Sequence, residues 1–404
     1  MNNSFITSSD HHAHFDCLEE IYKYAKEKDL PFVCGGDIIG DYNFENIVHL
    51  LGYRMPSSIP SLFLQKEMHV DDLGIYSEYQ RLAQFGISSE EVISKLSQHQ
   101  EINEDMKNQI STLFKKVQEK NLDSKVQEII EKNATSIQTI TSEMRIKLQF
   151  LFQIIVEVHA QKLAELIDKY QVKTYFLNGN HEPSQFPTLV SSLVQSKELF
   201  IDLGAEVGVS NINGLSVAGV SNVNAIMGHV HEFYLPQELD SLFIHQRARR
   251  AIIPVEPTRE GLENEQTIKD LEGDFDWQRL QGDEIKDLDV FISHGQIGQG
   301  AWRDDKKANL MPTLLVAAKL SSLSKITIDC HLHTTHVMKN SLGIKTLRAV
   351  GNKAYVIKRE ETGELGGELV EFDTPYNSRG EVMLDLEQTK KRIEENYFQL
   401  KQSN

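Results

Sequence analysis

The residues best suited to chemistry follow a short apolar run, in the segment Phe176-Leu177-Asn178-Gly179-Asn180-His181-Glu182. Glycine permits a sharp turn, so an amide and an imidazole would follow each other at the end of a predicted strand. The amide oxygen of Asn180 suits a divalent metal ion, and the ring of His181 can carry a proton. A polar turn without such chemistry is about as common after a strand, so this segment alone is not decisive.

Four other apolar runs of the chain end in residues of the same types. In chain order, the five runs lead into Asp10 and His12, Asp37, Asn180 and His181, His294, and His331 and His333. In parallel α/β sheets the carboxyl ends of the strands gather at one edge, where ligands bind. Seven of these side chains therefore predict a two-metal site: Asp10, His12, Asp37, Asn180, His294, His331 and His333.

Each of these residues also has an ordinary explanation when it is taken alone. His294 is typical of a core or capping histidine, Asp37 of a turn, and Asp10 of a helix cap. A second His-x-His pair, Gly228-His229-Val230-His231, precedes His294 and has no clean apolar strand before it, so the later pair is the better candidate. Coincidence at five strand ends favours a metal site, and mixed oxygen and imidazole donors suit Mn, Fe, Zn or Ni.

The order of these motifs resembles the calcineurin-like metallophosphoesterase superfamily. Its signature is Asp-x-His, then Gly-Asp, then Gly-Asn-His-Asp/Glu, then a single His, then Gly-His-x-His. In this chain the corresponding segments are Asp10-His11-His12, Gly36-Asp37, Gly179-Asn180-His181-Glu182, His294-Gly295 and Cys330-His331-Leu332-His333. The resemblance spans residues 5–335 and implies a four-layer α/β/β/α sandwich. It leaves residues 76–170 and 221–285 without an account.

The resemblance also implies a role for each matched residue. One metal would be held by Asp10, His12 and His333, the other by Asn180, His294 and His331, with Asp37 bridging the two. The ions, for which Mn is favoured over Fe, Zn or Ni, would activate a bridging hydroxide that attacks the phosphate, and would clamp the phosphoryl oxygens. His181 would be the catalytic residue that assists the leaving group.

Departures from the family pattern concern the surroundings of the ligands. Cys330 stands where a glycine is usual, either as a small residue in a turn or as a soft extra ligand. Many members have an aspartate that orients the catalytic histidine at the position of Gly40, which leaves Asp41 and Glu182 as alternatives for that role. Asn178 in place of arginine disfavours the Ser/Thr protein phosphatase branch.

Hydrophobic periodicity predicts the elements that carry these residues. Apolar runs at residues 4–8 and 31–34, with a helical pattern between them, predict a βαβ unit. Steps of three and four from Ile137 to Val158 predict one long helix or a helical hairpin. We expect a core at 1–75 and 171–375, a helical insertion at 76–170, and a C-terminal helix at 376–404. The insertion would be a lid or a partner-binding arm, or would only pack on the sheet.

Composition excludes several classes of protein. The chain has 404 residues, of which 42 are basic and 59 are acidic. The resulting net charge of −17 disfavours non-specific binding to the nucleic-acid backbone. The three cysteines form no disulfide framework, and no apolar run approaches the about 20 residues of a membrane helix. With no signal peptide recognisable at the N-terminus, we expect a cytoplasmic protein without a membrane partner.

The function expected from these patterns is hydrolysis of a phosphodiester or a nucleotide phosphate by a binuclear metal centre. A nuclease of the same superfamily is an alternative that the acidic balance does not favour. A second alternative, from another class, is a non-catalytic scaffold of the same fold that binds a partner through the helical insertion.

Overall fold

The computed structural model describes most of the chain. The described residues are 3–40, 44–55, 58–83, 85–97, 102–179, 181–183, 185–203, 210–220, 288–294, 324–330, 335–339, 344–376 and 384–403. The predicted ligands Asn180, His331 and His333 lie outside them, as do Asp41, Gly295 and the pair His229 and His231.

Elements are numbered in chain order within these residues. The helices are α1 (Phe15–Glu27), α2 (Phe44–Leu50), α3 (Ile59–Glu67), α4 (Val70–Ala83), α5 (Ser89–Ser97), α6 (Glu104–Glu119), α7 (Leu122–Lys132), α8 (Ala134–Tyr170), α9 (Phe186–Leu193) and α10 (Leu386–Ser403). The strands are β1 (Ser4–Ser8), β2 (Phe32–Cys34), β3 (Thr174–Phe176), β4 (Phe200–Asp202), β5 (Ser210–Ile212), β6 (Leu215–Val220), β7 (Leu288–Ser293), β8 (Ser324–Asp329), β9 (His336–Lys339), β10 (Lys345–Arg348), β11 (Lys353–Arg359) and β12 (Leu365–Glu371).

The described strands form two mixed sheets. The first has the order β12-β11-β1-β2-β3-β4, and the second has the order β5-β6-β7-β8-β10-β9. The pairings from β1 to β4 are parallel, as are those that join β6, β7, β8 and β10, whereas β11, β12, β5 and β9 pair antiparallel. The predicted βαβ unit is confirmed, because β1 and β2 are parallel neighbours joined through α1.

One hydrophobic core lies between the two sheets. Phe5 and Val33 of the first sheet belong to the same buried cluster as Val290 and Ile328 of the second. Alternation along a strand turns the neighbouring side chains to the opposite face. Phe32 accordingly contacts Tyr22 of α1, with ring centroids 5.3 Å apart, so α1 covers the other face of the first sheet. The fold is α/β, and the finer expectation of a four-layer metallophosphoesterase sandwich stays a prediction.

The turn between β5 and β6 follows its sequence signal. Asn213 and Gly214 both have positive φ, 48° and 81°, and Ile212 pairs directly with Leu215. Such a two-residue turn needs left-handed backbone at both positions, which Asn-Gly tolerates best. The Asn213-Gly214 dipeptide therefore forms a two-residue hairpin turn between β5 and β6.

Contacts divide the chain into two compact units, one of Met1–Phe44 with Gln149–Asn404 and one of Glu45–Leu148. The sequence places the helical insertion at 76–170 instead. The difference arises because α3 and α4 join the later helices: Lys132 pairs with Glu67 at 2.7 Å and Lys120 with Asp72 at 2.6 Å. The helices of this second unit also share a small core around Val92, Ile110 and Phe114.

Helix α8 is a single element of 37 residues that begins in the second unit and ends in the first. Leu148, Leu151 and Ile155 of its predicted apolar face are buried, whereas Ile140 is exposed. The structure thus decides for one long helix over a helical hairpin. None of the helices in the described part of the chain combines the length and the apolar composition needed to cross a membrane.

Candidate metal centre

The candidate site lies at the carboxyl ends of β1, β2, β3 and β7. Ser8 pairs with Cys34, and Cys34 pairs with Phe176, so the first three strands end level with one another. After these residues the regular strand pairing ends, and each strand continues into a polar turn. Asp10, Asp37 and His181 are brought together because parallel neighbours present the same end at the same edge of the sheet.

Asp37 is the centre of this cluster. Its Oδ2 atom lies 3.2 Å from Nε2 of His294, 3.9 Å from Nε2 of His12 and 3.9 Å from Nε2 of His181. His12 Nε2 is also 4.0 Å from Oδ1 of Asp10. Asp10, His12, Asp37 and His294 are buried, whereas the side chain of His181 is 22% exposed. His181 is therefore the member of the cluster that solvent or a substrate can reach.

The ring of His294 is held from both sides. Its Nδ1 donates to the carbonyl oxygen of Gly35 at 2.6 Å, which directs Nε2 toward Asp37. Burial alone would lower the pKa of His294, but the carboxylates of Asp37 and Asp10 outweigh burial and raise the pKa to about 9. Burial would raise the pKa of Asp37, yet His294 and His181 keep it well below its usual value. The two carboxylates thus favour positive charge at this point, which a metal cation also supplies.

The turns that carry the cluster have unusual backbone angles. Asp10, His12, Ala13 and Asp37 have φ of 54°, 44°, 65° and 55°, in the left-handed region that non-glycine residues rarely adopt. Backbone hydrogen bonds join the turn after β1 to the turn after β2. They run from Asp10 N to Gly36 O, from His12 N to Asp37 O and from Ala13 N to Ile38 O. Angles of this kind cost about 1–3 kcal/mol each and persist only where the surroundings enforce them.

Two glycines let the turns after β2 and β3 touch. A Cβ on Gly36, which has a φ of 95°, would collide with the backbone of Gly179. A Cβ on Gly179 would collide with the carboxylate of Asp37 and lie 2.7 Å from Cε1 of His294. Gly179, singled out from the sequence as a turn residue, is needed here for close approach to the cluster.

Glu182 joins these same two turns. Its Oε2 accepts from the amides of Asp37 at 2.9 Å and Gly179 at 2.8 Å, and its Oε1 accepts from the amide of Ile39 at 2.9 Å. Burial, with a smaller contribution from Asp37, raises the pKa of Glu182 to about 7. In the sequence, Glu182 is one of two alternatives for orienting His181, but its oxygens bind backbone amides instead.

The donors present fit a divalent metal. Two sets of donor atoms, from His12, Asp37 and His181 and from Asp10, Asp37 and His294, each lie within 4.8 Å of one another. Both sets contain Asp37, the predicted bridge. Their membership differs from the implied assignment, because Asp10 groups with His294 and His181 joins His12. Four of the seven predicted ligands come together in this way, and Asn180, His331 and His333 lie outside the described residues.

Cys330 lies beside the cluster without the properties of a ligand. It is buried, and burial together with the charge of Asp10 raises the pKa of its thiol well above the usual value. Its Sγ fills the space beside Gly35 and belongs to neither set of donor atoms among the described residues, which favours a small residue packed in a turn.

Tyr376 is a neighbour of the site that sequence analysis missed. Its hydroxyl donates to the carbonyl oxygen of Asp10 at 2.6 Å, and its ring centroid is 5.1 Å from that of His14. It stands 366 positions from Asp10 in the chain, in an irregular segment after β12. No local spacing could have connected the two residues.

Comparison with known proteins gives no assignment. No family model matches the sequence, and no curated protein matches it. A solved structure of an uncharacterised protein aligns with a TM-score of 0.38 at 12% identity, over 92% of this chain and 100% of that chain. A likeness this low carries no argument about fold or function.

Proposed function

We propose that this protein is a binuclear metal-dependent phosphoesterase of the calcineurin-like metallophosphoesterase type, acting on a phosphodiester or a nucleotide phosphate. The observation that carries the proposal is the arrangement around Asp37. Three histidine rings lie within 3.2–3.9 Å of one oxygen of this buried carboxylate, at the ends of strands from both sheets. A cluster of this composition at this edge is typical of a catalytic metal centre.

The proposed ligands are Asp10, His12, Asp37, Asn180, His294, His331 and His333. Two divalent cations, with Mn favoured and Fe, Zn or Ni as alternatives, would supply activation of water and stabilisation of charge on the phosphoryl oxygens. The chain contributes a buried, pre-formed frame in which Asp37 offers one carboxylate to both positions. The hydrogen bond from His294 to Gly35 fixes that ring before any ligand arrives.

His181 is the proposed proton donor to the leaving oxygen. Its backbone amide donates to Asp37 Oδ1 at 3.0 Å, so the residue is anchored to the cluster while its ring stays partly exposed. The ring stands edge-on to that of His12, with centroids 5.0 Å apart. A histidine in this position can meet a substrate oxygen without leaving the site.

The substrate proposed is a small, nucleotide-like phosphodiester. The net charge of −17 opposes close approach of a nucleic-acid backbone, which gains its affinity from basic side chains. A small diester carries fewer charges and depends less on the field of the whole protein.

The central test is substitution of the bridging residue. Wild-type protein loaded with Mn should contain about two metal ions per chain by mass spectrometry and should hydrolyse bis-p-nitrophenyl phosphate. Asp37→Asn should lower the rate more than about 100-fold, beyond the loss typical of a residue that only supports a ligand. The same variant should lose metal, because one neutral amide cannot replace a carboxylate shared by two cations.

Asp289→Asn is the matched control for this test. Asp289 is a buried carboxylate at the start of β7, opposite to the end that leads into His294, and it pairs with Lys325 and Arg359. This variant should unfold at a lower temperature and keep both metal and hydrolysis. A wild-type protein without metal would favour the scaffold, and a metal-loaded protein inactive on mono- and diesters would overturn the proposal.

A further inference from the structure

We infer that Glu182 is a positioning residue whose carboxylate locks the turn that carries Asp37 to the turn that carries His181. This inference rests on the proposed function, because what the lock positions is the proposed metal ligand Asp37. The Asp37 turn is defined here as residues 35–39, and the His181 turn as residues 178, 179 and 181–183.

Glu182 reaches both turns from a buried position. Its two oxygens accept hydrogen bonds from three backbone amides, those of Asp37 and Ile39 in one turn and that of Gly179 in the other. Only 5% of the residue is exposed, so water does not compete for these amides. Amide groups buried in this way need an acceptor, and Glu182 supplies one acceptor group to all three.

The connection is reciprocal. Asp37 Oδ1, which belongs to the Asp37 turn, accepts from the amide of His181 at 3.0 Å. Each turn thus sends one carboxylate across to the backbone of the other. The backbones also touch directly where Gly36 meets Gly179. The position of the Asp37 carboxylate is therefore set by the His181 turn as much as by its own strand.

The lock explains how Asp37 holds its left-handed backbone angle, φ of 55°. The amides of Asp37 and Ile39 flank the strained residue, and both donate to Glu182. If these bonds were lost, the backbone at Asp37 would relax toward the ordinary right-handed or extended regions. The carboxylate would then turn away from the rings of His12, His181 and His294.

The chemistry requires a full carboxylate of this length. Both oxygens of Glu182 accept, so a glutamine would direct its NH₂ group at an amide N–H and lose at least one bond. An aspartate keeps the charge but is shorter by one methylene, so it cannot reach both turns together. Glu182→Gln and Glu182→Asp therefore break the lock by different means, and both keep a polar side chain at the site.

Glu19→Gln is the matched control for Glu182→Gln. The carboxylate of Glu19 accepts from Lys169 Nζ and Tyr170 Oη, each at 2.6 Å, and so joins α1 to the end of α8 away from the cluster. The chemical change is the same, and a comparable structural connection is weakened. Any effect of Glu182→Gln on metal binding that Glu19→Gln lacks belongs to the position of Glu182.

The experiment has three readouts on the full chain. Amide hydrogen exchange of the metal-free protein should show faster exchange at Asp37, Ile39 and Gly179 in Glu182→Gln, with the rest of the sheet unchanged. Titration with Mn should show a dissociation constant about 10–100-fold higher in Glu182→Gln than in wild type, the loss typical of residues that support a ligand. In Glu182→Gln, the electron paramagnetic resonance spectrum of bound Mn should also lose the magnetic coupling between two neighbouring ions.

The possible failures are distinguishable. Equal Mn affinity and equal spectra in wild type and Glu182→Gln would overturn the inference and leave the proposed function intact. A wild type that binds no Mn would overturn the proposed function and with it the positioning of a ligand, while the exchange data would still report on the lock itself. If Glu182→Gln does not fold, Glu182→Asp must show the weaker Mn binding, and wild-type affinity in that variant would refute the inference.

Discussion

Asp37 combines a strained backbone with a buried charge. Its φ of 55° is unfavourable for an L-residue, and its carboxylate is almost completely removed from water. His294 and the amide of His181 stabilise the charge, and the hydrogen bonds from the amides of Asp37 and Ile39 to Glu182 stabilise the backbone. As a proposed metal ligand fixed in this way, Asp37 would lose little conformational entropy when a cation binds, so the affinity of the proposed site would depend on the turns around it.

A prediction at the scale of one residue concerns Gly179. Gly179→Ala should reduce hydrolysis of bis-p-nitrophenyl phosphate more than about 10-fold, because its Cβ would displace the carboxylate of Asp37 from the cluster. Initial rates measured over a Mn titration check this prediction. Gly74→Ala is the control: Gly74 lies within α4, and nothing stands within 4 Å of its added Cβ.

The control should become more stable by about 1 kcal/mol, the gain expected when alanine replaces glycine in an exposed helix, and should keep full activity. Wild-type rates in Gly179→Ala would mean that the carboxylate of Asp37 can move aside without loss of function.

Residue types predicted which donor-bearing side chains gather at the candidate site, but not the groups that support them. Asp10, His12, Asp37 and His294 could be recognised because each follows an apolar strand, and strand ends converge in parallel sheets. The three amides that bind Glu182 carry no signal in the sequence, since any residue has a backbone amide. Tyr376 was also beyond prediction, because its contact with Asp10 depends on the path of an irregular segment.

At the scale of elements, helix α8 shows what periodicity can predict. The steps of three and four predicted a long amphipathic helix, and the helix covers Ala134–Tyr170. The pattern could not show that burial starts only near the middle of the helix, at Leu148, whereas Ile140 in its first two turns is exposed. Periodicity identifies an apolar face, whereas the neighbour that covers this face is decided by the tertiary fold.

Helix α8 also carries a buried histidine with a consequence for stability. His159 Nδ1 donates to the carbonyl oxygen of Ile155 at 2.6 Å, and burial lowers the pKa of His159 from 6.5 to about 4. The folded state therefore keeps this ring neutral between pH 4 and 6.5, whereas the unfolded chain takes up a proton there. Stability from this group is complete above pH 6.5 and is lost as the pH falls toward 4.

Because of His159, the free energy of unfolding at pH 5 should be about 2 kcal/mol lower than at neutral pH. Urea unfolding at pH 7 and pH 5 checks this expectation, with His159→Gln as the reference that cannot titrate. The variant should lose about 2 kcal/mol less than wild type between the two pH values, whatever its stability at pH 7. Equal losses in the two proteins would show that His159 is protonated in the folded state.

At the scale of the whole molecule, the proposed metal centre belongs to one of two compact units. The clustered ligands lie within Met1–Phe44 and Gln149–Asn404, and the second unit, Glu45–Leu148, has its own small core. A ligand stabilises only the unit that it binds. Calorimetry should therefore show two unfolding transitions, of which Mn raises one.

At a free Mn concentration of about 100 times the dissociation constant of each site, the two proposed sites together should raise the free energy of unfolding of the affected unit by about 5 kcal/mol. Hydrogen exchange near each transition identifies the unit that unfolds. A single transition that Mn shifts as a whole would mean that the two units unfold together, with α8 as the shared element that couples them.

The arrangement of the sheets was only partly open to prediction. The parallel pairing of β1 with β2 followed from the βαβ pattern, because a helix between two strands brings them back in the same direction. The antiparallel pairing of β1 with β11 had no such signal. Strands so distant in the chain find each other through a shared core, and Phe5 and Ile357 both belong to it.

The place of β1 within the first sheet has a consequence for synthesis on the ribosome. One edge of β1 pairs with β2, which is translated soon after β1, but the hydroxyl of Ser8 donates to the carbonyl oxygen of Lys353, 345 residues later. At about 5–20 residues per second, that edge waits roughly 20–70 s for its partner. During this interval the nascent chain exposes an unpaired strand edge, a template for aggregation that chaperones would have to cover.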